Sequence, residues 1–176
     1  MALLPILHFP DPRLRERALD VESFDAALEA TIADMFETMY AAPGIGLAAT
    51  QLGIARRIAV IDVSEDKSEP RVLVNPRLIE SSGRRESEEG CLSVPGYYDT
   101  IERAERLRVR ALGRDGEPFE LEAEDLLAVC IQHELDHLNG QLFIDHLSDL
   151  KRRRLRRQIE KARREARAEE TGPAAG

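Results

Sequence analysis

Gln132-His133-Glu134-Leu135-Asp136-His137-Leu138-Asn139-Gly140 places two histidines four residues apart. On an α-helix that spacing stacks both imidazoles on one face, one turn apart, where both can reach a single metal ion. Glu134 lies between them, where a carboxylate can act on a water beside the metal without ligating it. This is the helical HExxH pattern of metal hydrolases. A helix over Asp125–Leu138 is expected, because no Gly or Pro interrupts that stretch and Gly140 supplies a stop. Leu126, Leu127, Ala128, Val129, Cys130 and Ile131 are apolar on nearly all sides, so the helix is expected to be buried. Two histidines and two carboxylates on a buried helix need partners. HExxH also arises by chance, and a buried His is usually a hydrogen-bonded core residue. The motif therefore needs a third ligand before it carries a function.

Three positions compete for that role. In metalloproteases of the HExxHxxGxxH type a third His follows the Gly, but here that position holds Phe143, and His146 is out of register. Cys130 lies on the same helical stripe. It is seven residues from His137, however, ~10 Å along the axis, too far for a short thiol held near ~2.3 Å from a metal. Cys130 is expected to line a pocket wall beside His133. Cys91 comes from a separate segment, Glu88-Glu89-Gly90-Cys91-Leu92-Ser93-Val94-Pro95-Gly96, which reads as a strand end or turn. A lone Cys is usually a small buried hydrophobe, but flanking Gly and acids suit a ligand better. Cys91, His133 and His137 with an open fourth position make a catalytic rather than a closed structural site. Such a metal brings the pKa of a bound water to about 7. Glu134 would take its proton as general base and return it to a leaving amine. The Gln51 side-chain amide and the Leu92 backbone N–H are the expected oxyanion donors.

A chain of 176 residues, 43% hydrophobic and 33% charged, suggests one soluble domain with a proper core. The apolar start is broken by Pro5 and lacks a basic lead, so no signal peptide is expected, and no run reaches the length of a membrane span. Two cysteines do not make a disulfide framework, which points to the cytosol. The net charge of −8 hides an asymmetry: residues 151–176 carry ten Lys or Arg against four Glu, so the body is strongly acidic. A basic tail on an acidic body suggests an anionic partner for the tail.

Along the chain, residues 1–23 read as an irregular arm and Phe24–Ala42 as an amphipathic helix ended by Pro43-Gly44. Gly44-Ile45-Gly46-Leu47-Ala48-Ala49-Thr50-Gln51 fits the dinucleotide pattern GxGxxA. That site needs a strand before it and a helix after it, whereas here a helix precedes and Gly53 interrupts the next segment. The better reading is a loop whose glycines let another backbone approach, followed by a short buried segment presenting Gln51. Strands are expected at Arg57–Val63, Val72–Ile79, Ile101–Ala111 with a break near Ala104, and Glu117–Glu122. Ser64–Pro70 reads as a polar loop, and Gly113–Gly116 as a hairpin turn. Ser148 or Asp149 could cap a basic helix from Leu150 to Ala168, with a frayed tail over Glu169–Gly176. The fold class is α+β, with antiparallel sheets around a central buried helix, a helix in the N-terminal half and a basic C-terminal helix.

Three separated segments, Gly44–Gln51, Glu89-Gly90-Cys91-Leu92-Ser93 and Gln132–His137, resemble the three motifs of the peptide deformylase family in order and spacing. Phe9-Pro10-Asp11-Pro12-Arg13-Leu14-Arg15 resembles its N-terminal arm. The resemblance implies a metal-dependent hydrolase in which a metal-bound water removes the formyl group from the N-terminal formyl-methionine of new polypeptides. It implies Cys91, His133 and His137 as ligands of one divalent ion, usually Fe(II), with Zn, Ni or Co as alternatives. It also implies Glu134 as acid/base and Gln51 and Leu92 as oxyanion contacts. Ile45, Leu126, Val129 and Cys130 match its methionine pocket, with Gly44, Gly46, Glu89 and Gly90 in the substrate site. Residues 1–150 would form the catalytic region and 151–176 its basic extension. Tyr97-Tyr98-Asp99 would lie near the substrate mouth. Asp136, Arg103 and Glu89 are expected to orient the ligands from behind. Arg152, Arg153, Arg154, Arg156 and Arg157 would meet ribosomal RNA phosphates in the cytoplasm, with no membrane partner. The rivals are a zinc endopeptidase on the same motif and a non-catalytic metal or ribosome-binding module, for which Glu134 would have no use.

Overall fold

Ile58, Ala59, Val60 and Ile61 form strand β2 (Ile58–Ile61), and all four are buried. A strand points successive side chains to opposite faces, so full burial means both faces are covered. β2 pairs antiparallel with β1 (Gly46–Ala48) and β3 (Arg71–Ser82). β3 continues to β6 (Arg106–Leu112) and β6 to β7 (Pro118–Glu124), giving a five-stranded sheet in the order β1-β2-β3-β6-β7. Ala59, Ile61 and Leu73 share one core cluster with Ala128, Ile131, Leu135 and Leu138 of helix α2 (Asp125–Leu138). Ile58, Val60 and Val74 share the other with Leu28, Ile32, Met35 and Met39 of α1 (Ala26–Ala41). Each fully buried Ile, Leu or Met contributes roughly 1.5–3 kcal/mol.

This computed structural model describes residues 2–172, which fall into two compact units divided after Phe143. Within the first unit, β4 (Arg85–Cys91) and β5 (Val94–Arg103) form a separate two-stranded hairpin. Cys91 stands at a strand end beside a turn, as expected, but β4 extends back to Arg85 and β5 begins well before the expected Ile101. The acidic run of β4 has no apolar alternation, so its strand character comes from pairing alone. A strand, β1, takes the place of part of the expected loop, and the expected short buried segment presenting Gln51 is a 3-10 turn at Ala49–Leu52. The break at Ala104 and the turn at Gly113–Gly116 are where expected, the latter closed by Gly113 N–H to Glu117 O at 2.9 Å.

α1 starts where Asp25 accepts from Leu28 N–H at 3.0 Å. α2 ends at Leu138 with Asn139 as its C-cap, and Gly140 comes next at φ 76°, where a Cβ would meet the Arg15 carbonyl oxygen at 2.5 Å. The arm is stitched down by backbone bonds from Leu7 to Gln51 O, Phe9 to Ser93 O and Ala18 to Leu138 O, at 2.8, 2.7 and 2.9 Å. In the second unit Ser148 caps α3 (Asp149–Glu170), accepting from Lys151 N–H at 3.3 Å. Glu169 and Glu170 are helical rather than frayed, and residues 173–176 of the expected tail lie outside the described residues. Among the described residues no helix is long and apolar enough to cross a membrane.

Candidate active site

His133 and His137 face the same side of α2 with ring centroids 4.9 Å and Nε2 atoms 3.2 Å apart. Cys91 ends β4, and the tight turn into β5 brings its Sγ to 3.2 Å from His137 Nε2. The three donor atoms lie within 4.8 Å of one another. Cys130 is apart from them, its Sγ 3.7 Å from the Ile45 carbonyl oxygen. Burial, with the charges of Glu134 and Glu89, pushes the Cys130 thiol pKa well up, so it stays protonated. Phe143, at the position where a protease would carry its third His, stacks its ring against His133 with centroids 6.0 Å apart.

His133 and Cys91 are held from behind. Glu89 on β4 accepts from His133 Nδ1 at 2.9 Å. Arg103 on β5 grips both Glu89 oxygens at 2.7 and 2.9 Å and reaches Asp136 at 2.7 Å. Burial alone would raise the Glu89 pKa, but its bonds to Arg103 and His133 outweigh it and bring the carboxyl to about 2. An ionised carboxylate only accepts, so His133 carries a proton on Nδ1 and faces Nε2 toward the other donors. Burial would lower the His133 pKa, but its bonds to Cys91 and Glu89 outweigh burial and hold it well above normal. Cys91 Sγ accepts from Ser93 N–H at 3.4 Å and lies 3.7 Å from Gln51 Nε2. Ala48 N–H donates to Gln51 Oε1 at 2.9 Å and Gln51 Nε2 donates to Ser93 Oγ at 3.0 Å, which fixes the amide's orientation.

Glu134 is 3% exposed, and burial raises its pKa to about 7. Its Oε2 and His137 Nδ1 are buried without a hydrogen-bond partner among the described residues. Burial, aided by the charges of His133 and Arg103, lowers the His137 pKa well below normal and keeps it neutral. The donor set fits a divalent cation, which would take the place of the proton on His133 Nε2: one thiol and two imidazole nitrogens converge beside an unsatisfied carboxyl oxygen.

Cys91 and His133 border a cleft of about 290 Å³. Ile45, Leu126, Val129 and Cys130 give it apolar walls, while Gly44, Gly46, Glu89, Gly90, Leu92, His133 and Glu134 also line it. A Cβ on Gly46 would meet Cys130 Sγ at 2.7 Å and Glu134 Oε1 at 2.8 Å, and one on Gly44 would meet Leu92 Cδ1 at 2.7 Å. The glycines thus admit side chains of α2 and of the hairpin turn, rather than the backbone expected. Of the expected mouth residues, Tyr98 lines the cleft, whereas Tyr97 bonds Asp99 at 3.0 Å and packs near Phe143. Gln51, Asp136 and Arg103 stand behind the lining. A larger depression of about 650 Å³ over β3, β6 and β7 is bordered by surface ion pairs such as Arg106–Glu124 and has no donor cluster.

Sequence reasoning passed over Ser93, Phe143 and Gln132. Ser93 lies in the Leu92–Ser93 turn that follows Cys91 and Gln132 precedes His133, so adjacency to the motifs is the available signal. Phe143 gave none, since only the fold places its ring on His133.

A Cys-His-His donor set, a carboxyl of raised pKa and an apolar cleft, carried on an α+β scaffold, define a hydrolase with a candidate metal centre. The polypeptide deformylase family profile matches residues 3–153. The chain is 59% identical over 166 residues to the peptide deformylase of Azotobacter vinelandii, covering 94% of this chain and 99% of that one. It is also 59% identical to that of Pseudomonas aeruginosa, with the same coverage. The crystal structure of a peptide deformylase from Legionella pneumophila superposes with a TM-score of 0.88 at 55% identity, covering 93% of this chain and 96% of that one. That of the Ehrlichia chaffeensis peptide deformylase in complex with actinonin gives 0.88 at 40% identity, covering 92% and 98%. The chain belongs to the peptide deformylase family, enzymes that hydrolyse the formyl group from the N-terminal methionine of new polypeptides.

Proposed function

We propose that Cys91, His133 and His137 hold one divalent cation, that the adjoining cleft receives the formyl-methionine end of a nascent chain, and that Glu134 moves the proton during hydrolysis. The observation that carries this reading is the convergence of three donors from two segments beside an unpartnered buried carboxyl. When bound, the cation supplies Lewis acidity and brings the pKa of a water to about 7. Ile45, Leu126, Val129 and Cys130 take the methionine side chain, and Gly44, Gly46, Glu89 and Gly90 line the rest of the substrate cleft. Glu134 takes a proton from the attacking water and returns it to the leaving amine nitrogen. The Gln51 amide and the Leu92 N–H face the oxyanion, Gln51 already oriented by Ala48. Glu89, Arg103 and Asp136 hold His133 in place. In this reading α2 is the central element of a catalytic region over residues 1–150, with the five-stranded sheet on one side and the β4–β5 hairpin on another. Fe(II) is the usual metal of the family; Zn, Ni and Co suit the same donors, and supply decides among them.

Glu134→Gln should retain the metal and lose about 10³-fold in kcat on a formyl-methionyl peptide. Full turnover in that variant would overturn the reading. The same reading places the enzyme in the cytoplasm at the ribosome, with the exposed Arg153, Arg154, Arg156 and Arg157 of α3, and Arg152 beside them, on RNA phosphates. Co-sedimentation with ribosomes should fall steeply with salt and be lost on deleting residues 150–176. Unchanged binding after the deletion would remove α3 from this role.

A further inference from the structure

A side-chain amide on α2 joins the ion pairs in holding the charged group behind His133. Gln132 precedes His133 on α2, and its side chain is engaged through both of its polar atoms. Oε1 accepts from Ala104 N–H at 2.9 Å, while Nε2 donates to Ala104 O at 3.0 Å and to Ala128 O, one turn back, at 3.0 Å. Ala104 occupies the break where β5 has ended at Arg103 and β6 has not begun. The ladder of β4 with β5 stops one residue earlier, so no strand pairs with this peptide group. Gln132 takes both its N–H and its C=O, as a neighbouring strand would. A Glu here keeps an acceptor and loses the donors, and a Met keeps the volume and loses both.

The contacts close a ring. Ala104 fixes the backbone next to Arg103, whose guanidinium grips Glu89 and Asp136. Glu89 in turn holds His133 Nδ1. Gln132, His133 and Asp136 all belong to α2, so the ring starts and ends on the same helix.

We propose that Gln132 is a positioning residue: by clamping the Ala104 backbone it sets the reach of Arg103, and through Glu89 the orientation of His133, on which cation affinity at Cys91, His133 and His137 depends. This rests on the metal-site reading above. A partner three contacts behind a ligand changes affinity through the ligand's orientation; losing a direct partner of a ligand typically costs 10–100-fold in metal affinity, so the lower end of that range is expected here.

The test loads the full chain with Co(II) and measures its loss to a chelator, its visible absorption and the urea midpoint. Gln132→Met should lose Co(II) about 10-fold faster and shift the absorption bands, with Gln132→Glu intermediate. Should Gln132→Met fail to fold, Gln132→Glu carries the same readouts. Arg103→Lys combined with either should be no worse than Arg103→Lys alone, because the clamp acts through Arg103. A lowered urea midpoint with wild-type Co(II) release and spectrum would make Gln132 a structural link only and overturn the proposal. So would single effects that multiply in the double variant. Failure of the wild-type chain to bind Co(II) would instead sink the metal-site reading itself.

Discussion

α2 and the β4–β5 hairpin supply the donors in unlike ways. The spacing of His133 and His137 is enforced by helix geometry alone, so α2 presents two donors as soon as it forms. Cys91 reaches them only when the hairpin lies against the helix. Polar bonds set that alignment: Glu89 to His133, Arg103 to Asp136, and Ala104 to Gln132. The opposite side of α2 meets the five-stranded sheet through apolar packing. Apolar packing is tolerant of small slips, whereas bidentate and paired hydrogen bonds fix a register. The site is thus built where specificity of alignment matters more than net stabilisation, since buried ion pairs rarely stabilise beyond an apolar equivalent.

The largest expected effect comes from breaking the hairpin side. Arg103→Met leaves Glu89 and Asp136 as buried or half-buried carboxylates without their cation, which should cost about 3–5 kcal/mol in urea unfolding. A loss under ~1 kcal/mol, within the range of an exposed ion pair, would mean that other contacts align the hairpin.

The two sides should also answer pH with opposite sign in metal-stripped protein. Glu89 of the hairpin falls from 4.5 to about 2, so the stability it brings is complete above its ordinary value and is lost as pH drops toward 2. Glu134 of the helix rises from 4.5 to about 7, so the folded state keeps a proton that the unfolded chain releases, and stability falls as pH climbs through that interval. Between pH ~5 and ~7.5 the wild type should lose on the order of 3 kcal/mol relative to Glu134→Gln, read from urea midpoints. Parallel profiles would mean that burial does not perturb Glu134.

The same contrast explains what could be read in advance. α1, α2, the Ala104 break and the Gly113–Gly116 turn obey local pattern, and local pattern is what a sequence displays. So does the pairing of His133 with His137. β4 was invisible because Glu86, Ser87, Glu88 and Glu89 show no alternation; their strand exists by pairing with β5. β1 is hidden by Gly46, which with Gly44 reads as a loop but serves to let Cys130 and Glu134 close in. Cys91 was reached by excluding nearer candidates, whereas Phe143 and Ser93 act through tertiary placement that no spacing reports.

The smallest effects sharpen the comparison most directly, because they change one methyl group on each side. At Gly46 an added Cβ meets Cys130 Sγ at 2.7 Å and Glu134 Oε1 at 2.8 Å. Both atoms belong to side chains packed on a buried helix, so neither can withdraw without disturbing α2. At Gly90 the added Cβ meets Tyr98 Cε1 at 2.3 Å, nominally a worse clash. Tyr98 is 67% exposed, however, and its ring can swing into solvent by a χ1 change. Gly46→Ala should therefore cost about 1–3 kcal/mol as overpacking, and Gly90→Ala under ~1 kcal/mol, the reverse of the order the distances suggest. Urea midpoints of the two variants decide it. A costlier Gly90→Ala would mean that Tyr98 is fixed on the hairpin, so that both sides of the site resist an added methyl.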